Sequence, residues 1–174
     1  MALLFLLRHA KAGWTQPGKK DFDRQLNMTG RDEALLVSEA VKRRYQEPHS
    51  VTCSTAVRAR ETWSILAGAW RCDPESADFS AALYGGDATA YIAAVEEQPP
   101  GTGSLLLVGH NPMIEDLAHL LIANGEERAL AALRSGFPTC GTAILSLQGE
   151  LEAVKPRSAY LQAFLTPAGL AGPA

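Results

Sequence analysis

The sequence predicts an α/β protein, a three-layer α/β/α sandwich with a mainly parallel central sheet. Three observations predict it. Residues 2–7 and 105–108 are apolar at every position, the signature of strands buried on both faces. Segments with helical spacing alternate with such runs, the order expected of βα units. A chain of 174 residues, 47% hydrophobic and 20% charged, suits one domain around a substantial core.

The elements follow in order. Residues 2–7 form the first buried strand. Thr29-Gly30-Arg31-Asp32 resembles a capping box and is expected to open a helix running to about Tyr45. Lys42-Arg43-Arg44 then fall at its C-terminus, where cations suit the helix dipole. Residues 51–54 form a second strand, followed by a helix over 56–70 with Trp63, Leu66 and Trp70 on one side. Asp87 precedes a helix over 88–97. Residues 104–108 form a third buried strand, and Asn111-Pro112 are expected to cap and begin a helix through about Ala123. Residues 142–147 and 152–154 are expected to pair through a Gln148-Gly149 turn. The Pro/Gly/Ala-rich tail, 166–174, is expected to fray. The whole of 1–174 is read as a single domain.

Composition excludes several classes. The hydrophobic content rules out a disordered chain or a collagen. The run 2–7 is too short to span a bilayer, and it lacks the basic leader and cleavage site of a signal peptide, so no membrane association is expected. Three cysteines at unpaired spacing (Cys53, Cys72, Cys140) argue against a disulfide framework or zinc cluster and for a reducing, cytoplasmic compartment. The net charge of -3 makes a nucleic-acid partner unexpected. Eleven Lys or Arg against six Asp or Glu in residues 1–60 nonetheless leave the N-terminal third able to attract a small anion.

Chemistry-bearing residues gather at strand ends. The first strand runs into Arg8-His9 and the third into Gly109-His110, while Arg58 falls in the first turn after the second strand. Ligands of open α/β sheets bind outside the carboxyl ends of the strands, so neighbouring parallel strands deliver two His and two Arg to one place. Arg forks match phosphoryl oxygens, a neutral imidazole is a nucleophile toward phosphorus, and a protonated second histidine stabilises the charge in flight. No metal or other cofactor is expected, because the chain lacks acidic clusters and His-x-x-x-His spacing. His49 and His119 have no comparable context.

Leu7-Arg8-His9-Ala10, the stretch Ser54-Thr55-Ala56-Val57-Arg58-Ala59-Arg60-Glu61-Thr62, and Gly109-His110-Asn111-Pro112 together resemble the histidine phosphatase, or phosphoglycerate-mutase-like, superfamily. The likeness is greatest to its short, SixA-type phosphohistidine phosphatases, whose loop and helix start are similar to residues 21–30. The resemblance implies that His9 is the phosphorylated nucleophile, that Arg8 and Arg58 bind phosphoryl oxygens, and that His110 stabilises the group in transfer. It also implies a phosphate contact from Asn111, which equally suits a plain helix cap. Thr55 departs from the proline common in the family.

The proton donor is the weakest correspondence. Many superfamily phosphatases carry an acid after the third strand region, where Leu83-Tyr84-Gly85-Gly86-Asp87 offers only Asp87. Asp87 is the candidate general acid and equally a helix cap; Asp21 and Asp23 are weaker candidates. A site short of an acid suits phosphohistidine, whose imidazole leaves neutral after arriving protonated. The expected function is therefore a metal-independent phosphatase acting on protein phosphohistidine through a phosphohistidine intermediate, as a monomer or weak dimer. The alternatives are a phosphatase of small phosphomonoesters or phosphoanhydrides, and a non-catalytic phosphate-binding module.

Overall fold

Alternating side chains of two strands divide the core. In β1 (Ala2–Arg8), Leu4 and Leu6 point to one side, and Phe5 and Leu7 to the other. In β4 (Ser104–Gly109), Leu105 and Leu107 oppose Leu106 and Val108 in the same way. Both faces are apolar because helices cover both. The computed structural model describes residues 1–15 and 17–172.

The remaining strands are β2 (Ser50–Ser54), β3 (Asp78–Ser80), β5 (Ile122–Gly125), β6 (Thr142–Leu147) and β7 (Ala159–Leu165). They form one seven-stranded sheet in the order β3-β2-β4-β1-β6-β7-β5. Only β6 runs against its neighbours; the other pairings are parallel. On one face lie α1 (Met28–Lys42) and α2 (Val57–Trp70), contributing Val37, Val41, Trp63 and Leu66. On the other lie α4 (Ala88–Glu96), α5 (Met113–Leu121) and α6 (Glu127–Arg134), contributing Tyr91, Ile114, Leu117 and Leu133. The short α3 (Ala82–Gly85) and α7 (Pro167–Ala171) complete the helices. This is the expected three-layer sandwich.

Several local expectations are corrected. Asn27, not Thr29, caps α1, accepting from the Gly30 N–H at 2.8 Å, and the helix stops at Lys42. Gly30 is needed for another reason: a Cβ there would come within 2.0 Å of the Lys11 carbonyl oxygen, so the helix start lies against the loop after β1. Helix α5 starts at Met113 and ends at Leu121, with no side-chain cap from Asn111. The segment Leu151–Ala153 is a 3₁₀ turn, and β6 pairs with β7 instead, because β7 supplies a longer row of backbone partners. The tail does not fray over its described part: Thr166 caps α7 through the Gly169 N–H at 3.0 Å, and α7 packs on α1. Residues 173–174 lie outside the described residues.

Candidate active site

Strands β1 and β4 are parallel neighbours in register, with Arg8 opposite Gly109. The following residues, His9 and His110, therefore emerge side by side, their ring centroids 5.0 Å apart. The His9 N–H donates to the Gly109 carbonyl at 2.9 Å, tying the two strand ends together. Gly109 itself has no room for a side chain, since a Cβ would lie 2.5 Å from the Tyr91 ring. Arg58, in the first turn of α2, completes the group: its Nε–H donates to His9 Nε2 at 3.2 Å.

His9 has a defined tautomer. Nδ1 sits 2.7 Å from the Ala10 carbonyl, which only accepts, so Nδ1 carries the proton and Nε2 presents its lone pair. Burial, with His110, Arg58 and Arg8 adding to it, pushes the imidazole pKa down to about 3, and the ring is neutral near neutral pH.

His110 is held from two sides. Its backbone N–H donates to the Tyr91 hydroxyl at 3.0 Å, and that hydroxyl donates to the Leu83 carbonyl at 2.6 Å. Its Nε2 lies 2.7 Å from Ser54 Oγ, which also accepts from the Ala56 N–H at 3.3 Å. In the tautomer where the hydroxyl donates to Nε2, the proton of the neutral ring sits on Nδ1, which is buried with no protein partner. Burial and Arg58 lower its pKa to about 4. The expectation of a protonated second histidine is corrected for the free site: His110 is neutral there and still has an N–H to offer.

The arginines differ in their engagement. Arg58 Nη1 donates to the Asp21 carbonyl at 2.7 Å and Nη2 to Asp21 Oδ2 at 3.0 Å. Arg8 Nη1 donates to the Phe137 carbonyl at 2.7 Å, while its buried Nε–H has no protein partner. The loop carrying Phe137 also clamps the strand end: the Cys140 N–H reaches the carbonyls of Arg8 and His9, both at 3.1 Å. Cys140 adopts φ 58° to do so, a conformation that costs a non-glycine residue about 1 kcal/mol or more.

The candidate carboxylates are reassigned. Asp87 is fully exposed and caps α4, accepting from the Thr89 N–H at 2.9 Å; it bonds to none of the four site residues. Its pKa is lowered by the Thr89 hydroxyl and N–H. Asp21 does reach the site, but Arg24 first, with Arg58 contributing, holds its pKa down to about 2. It is an ionised partner of Arg58 rather than a proton donor. Asp23 forms no side-chain bond to the cluster among the described residues. Asn111 spends Nδ2 on Glu115 at 2.8 Å and the Phe137 carbonyl at 3.2 Å, so its side-chain amide braces the loop, and of the contacts expected of it only the backbone N–H is left for a ligand.

Other site residues were not visible as such in the sequence. Tyr84 sets its ring edge-on to His110, 5.6 Å between centroids, and its hydroxyl donates to Asp21 at 3.2 Å. Thr62 donates to the Arg58 carbonyl at 2.7 Å and accepts from the Ala10 N–H at 3.0 Å, locking the residue after His9 to α2. Glu61 takes the Leu26 N–H at 2.6 Å and Arg31 at 2.9 Å. The Arg-Ala-Arg-Glu-Thr run was the available signal for both. Among the described residues, no group of three or more His, Cys, Asp or Glu is arranged to hold a metal ion. No described helix is long and apolar enough to cross a membrane.

Residues 4–79 match the model of the histidine phosphatase superfamily, branch 1. The crystal structure of a putative phosphohistidine phosphatase SixA from Agrobacterium tumefaciens is 36% identical, with a TM-score of 0.77 over 95% of this chain and 98% of that one. The chain belongs to the histidine phosphatase superfamily, in its SixA-type branch. A putative SixA from Nakamurella multipartitia is 27% identical at TM-score 0.79, covering 96% of each chain. An uncharacterized Mycobacterium tuberculosis protein is 34% identical over 163 residues, 92% of this chain and 99% of that one. The likeness to these structures extends over 95–96% of the chain, and the protein is a hydrolase of that superfamily.

Proposed function

We propose that the protein hydrolyses phosphohistidine on a protein substrate through a phosphorylated His9, without a metal. The observation that carries this reading is the neutral His9, whose Nδ1–H is tied to Ala10 and whose Nε2 lone pair faces Arg58. A phosphate-binding module would need the arginines but not a nucleophile with a fixed tautomer. The likeness to the Agrobacterium tumefaciens putative phosphohistidine phosphatase supports the substrate class.

In the first step His9 Nε2 attacks phosphorus as the bond from phosphorus to the substrate imidazole breaks. That imidazole, protonated at its other nitrogen, leaves as a neutral ring. Arg58 gives up its contact with Nε2 and turns this N–H to the phosphoryl oxygens, joined by the unpartnered Arg8 Nε–H and His110 Nδ1–H. The Arg8 Nε and His110 Nδ1 groups have no protein contact to give up, so they meet the developing charge with little reorganisation. A dianion beside His110 also raises its pKa, so the ring gains a proton's affinity as the substrate binds. In the second step water attacks phosphorus, the bond to His9 breaks, inorganic phosphate leaves and His9 returns to its neutral form.

Asp21, the carboxyl bonded to Arg58, is ionised and holds no proton to give, which favours this substrate over an alkyl ester. An alkoxide depends on general acid help worth roughly 10²–10⁴-fold; a neutral imidazole does not. Turnover of a phosphohistidine protein measured beside a panel of alkyl and aryl phosphates tests the reading. A kcat/KM on the phosphohistidine protein well above that on every ester is expected; a preference for an alkyl phosphate would overturn it.

A further inference from the structure

The loop that leaves His9 carries a tryptophan with almost no cover. Trp14 is 94% exposed, whereas tryptophans are on average highly buried, and its indole is a large apolar surface presented to solvent. The backbone beneath it is nevertheless fixed. The Gly13 N–H donates to the Gln25 carbonyl at 2.9 Å, and the Gly13 carbonyl accepts from Arg24 Nε at 2.8 Å. Ala12 and Leu26 form a β-bridge just behind it.

The same loop is cationic on its outer side. Lys11, Lys19 and Lys20 are exposed, and among the described residues none of them forms a salt bridge. Of the loop's two acids, Asp21 is already neutralised by Arg24 and Arg58, and Asp23, which lines the same cleft as Trp14 and Lys19, offsets one of the three lysines. Lys19 and Trp14 share a small cleft of about 170 Å³. This charge is set against an acidic remainder: residues 61–174 hold five Lys or Arg and thirteen Asp or Glu.

The patch is joined to the reaction centre. Gly13 is held by Arg24, Arg24 pairs with Asp21, Asp21 pairs with Arg58, and Arg58 bonds His9. The backbone that carries Trp14 is therefore braced to the residues that hold the nucleophile. An aromatic anchor rimmed by unpaired lysines suits an acidic protein surface: the indole supplies a buried contact, and the lysines steer and align the encounter.

We propose that Trp14 with Lys11, Lys19 and Lys20 is the docking surface for an acidic protein substrate, which lays its phosphohistidine over His9. The proposal rests on the phosphohistidine reading above and adds what the partner's surface must be. The single aromatic side chain and its continuity with the site favour a protein over a lipid surface.

Kinetics on matched substrates test it: an acidic and a basic protein, each phosphorylated on histidine, and free phosphoramidate. The wild type is expected to prefer the acidic protein. Trp14→Ala should lower kcat/KM on that protein roughly tenfold or more, and leave phosphoramidate within about twofold, because the exposed indole supports no core. Lys19→Ala/Lys20→Ala should weaken the preference for the acidic protein and flatten its salt dependence. Equal losses on protein and phosphoramidate, or no loss on the protein, overturn the docking surface while leaving the phosphohistidine reading intact. A wild type inert on both phosphoproteins but active on phosphate esters overturns the phosphohistidine reading, and the docking surface with it. Trp14-dependent sedimentation with phosphatidylserine vesicles, with protein kinetics unchanged in Trp14→Ala, assigns the patch to a membrane and overturns the proposal.

Discussion

Mild acid should destabilise the protein through its two site histidines, by an amount their surroundings set. Burial, with the neighbouring arginines, lowers His9 to about 3 and His110 to about 4. In the unfolded chain each returns to roughly 6.5. Below that value the unfolded chain binds protons that the folded site refuses, so stability falls as pH falls from about 6.5 toward the folded values. At about pH 5.5 the unfolded imidazole is one unit below its pKa, and both folded ones remain well above theirs. Each histidine then costs about 1.4 kcal/mol relative to about pH 7.5, and the pair about 3 kcal/mol. The result depends only on both folded values lying below that pH, not on how far below.

Urea unfolding at the two pH values, in buffer free of phosphate, measures it for the wild type and for His9→Gln/His110→Gln. His49 and His119 are common to both proteins and cancel in the comparison. The double variant should lose about 3 kcal/mol of the wild type's pH dependence. An equal pH dependence in the two proteins would refute the buried, neutral state on which the nucleophile's lone pair depends.

Ser54→Ala removes the hydroxyl that fixes His110 Nε2 at 2.7 Å; kcat should fall roughly 10–100-fold, read by steady-state turnover with little change in KM. Asp87→Asn should leave phosphohistidine turnover nearly unchanged, since the carboxylate caps α4 and Asn caps as well as Asp. Excess chelator should leave kcat/KM on a phosphohistidine protein intact, because Arg8 and Arg58 bring the positive charge; loss restored by magnesium would contradict this.

What the sequence made legible follows the reach of each contact. Buried strands show as unbroken apolar runs, so β1 and β4 could be placed, and the residues after them, His9 and His110, with them. Arg58 was legible because it follows a short strand at a helix start. Tyr84 and Tyr91 were not, nor was the pairing of Asp21, named only as a weaker acid candidate, with Arg58, because the partners are remote: Tyr84 and Asp21 meet across 63 residues and no local pattern announces it. Strand β7 loses its alternation at Gln162, which has no partner in the register with β6, and Phe164 and Leu165 beyond it are both buried. Asn111 and Thr29 carried good capping chemistry, yet bonding to Glu115 one turn on and to the remote Phe137 carbonyl, and the Asn27 cap two residues earlier, took precedence.

The covalent role of His9 is the central claim, and trapping tests it most directly. The enzyme is mixed with a phosphohistidine protein labelled in its phosphoryl group, quenched in alkaline denaturant, and the label is located by peptide mapping. The account predicts acid-labile phosphate on His9 Nε2 of the wild type, with neither label nor turnover in His9→Gln. Label on another residue, or turnover that persists in His9→Gln, would contradict it.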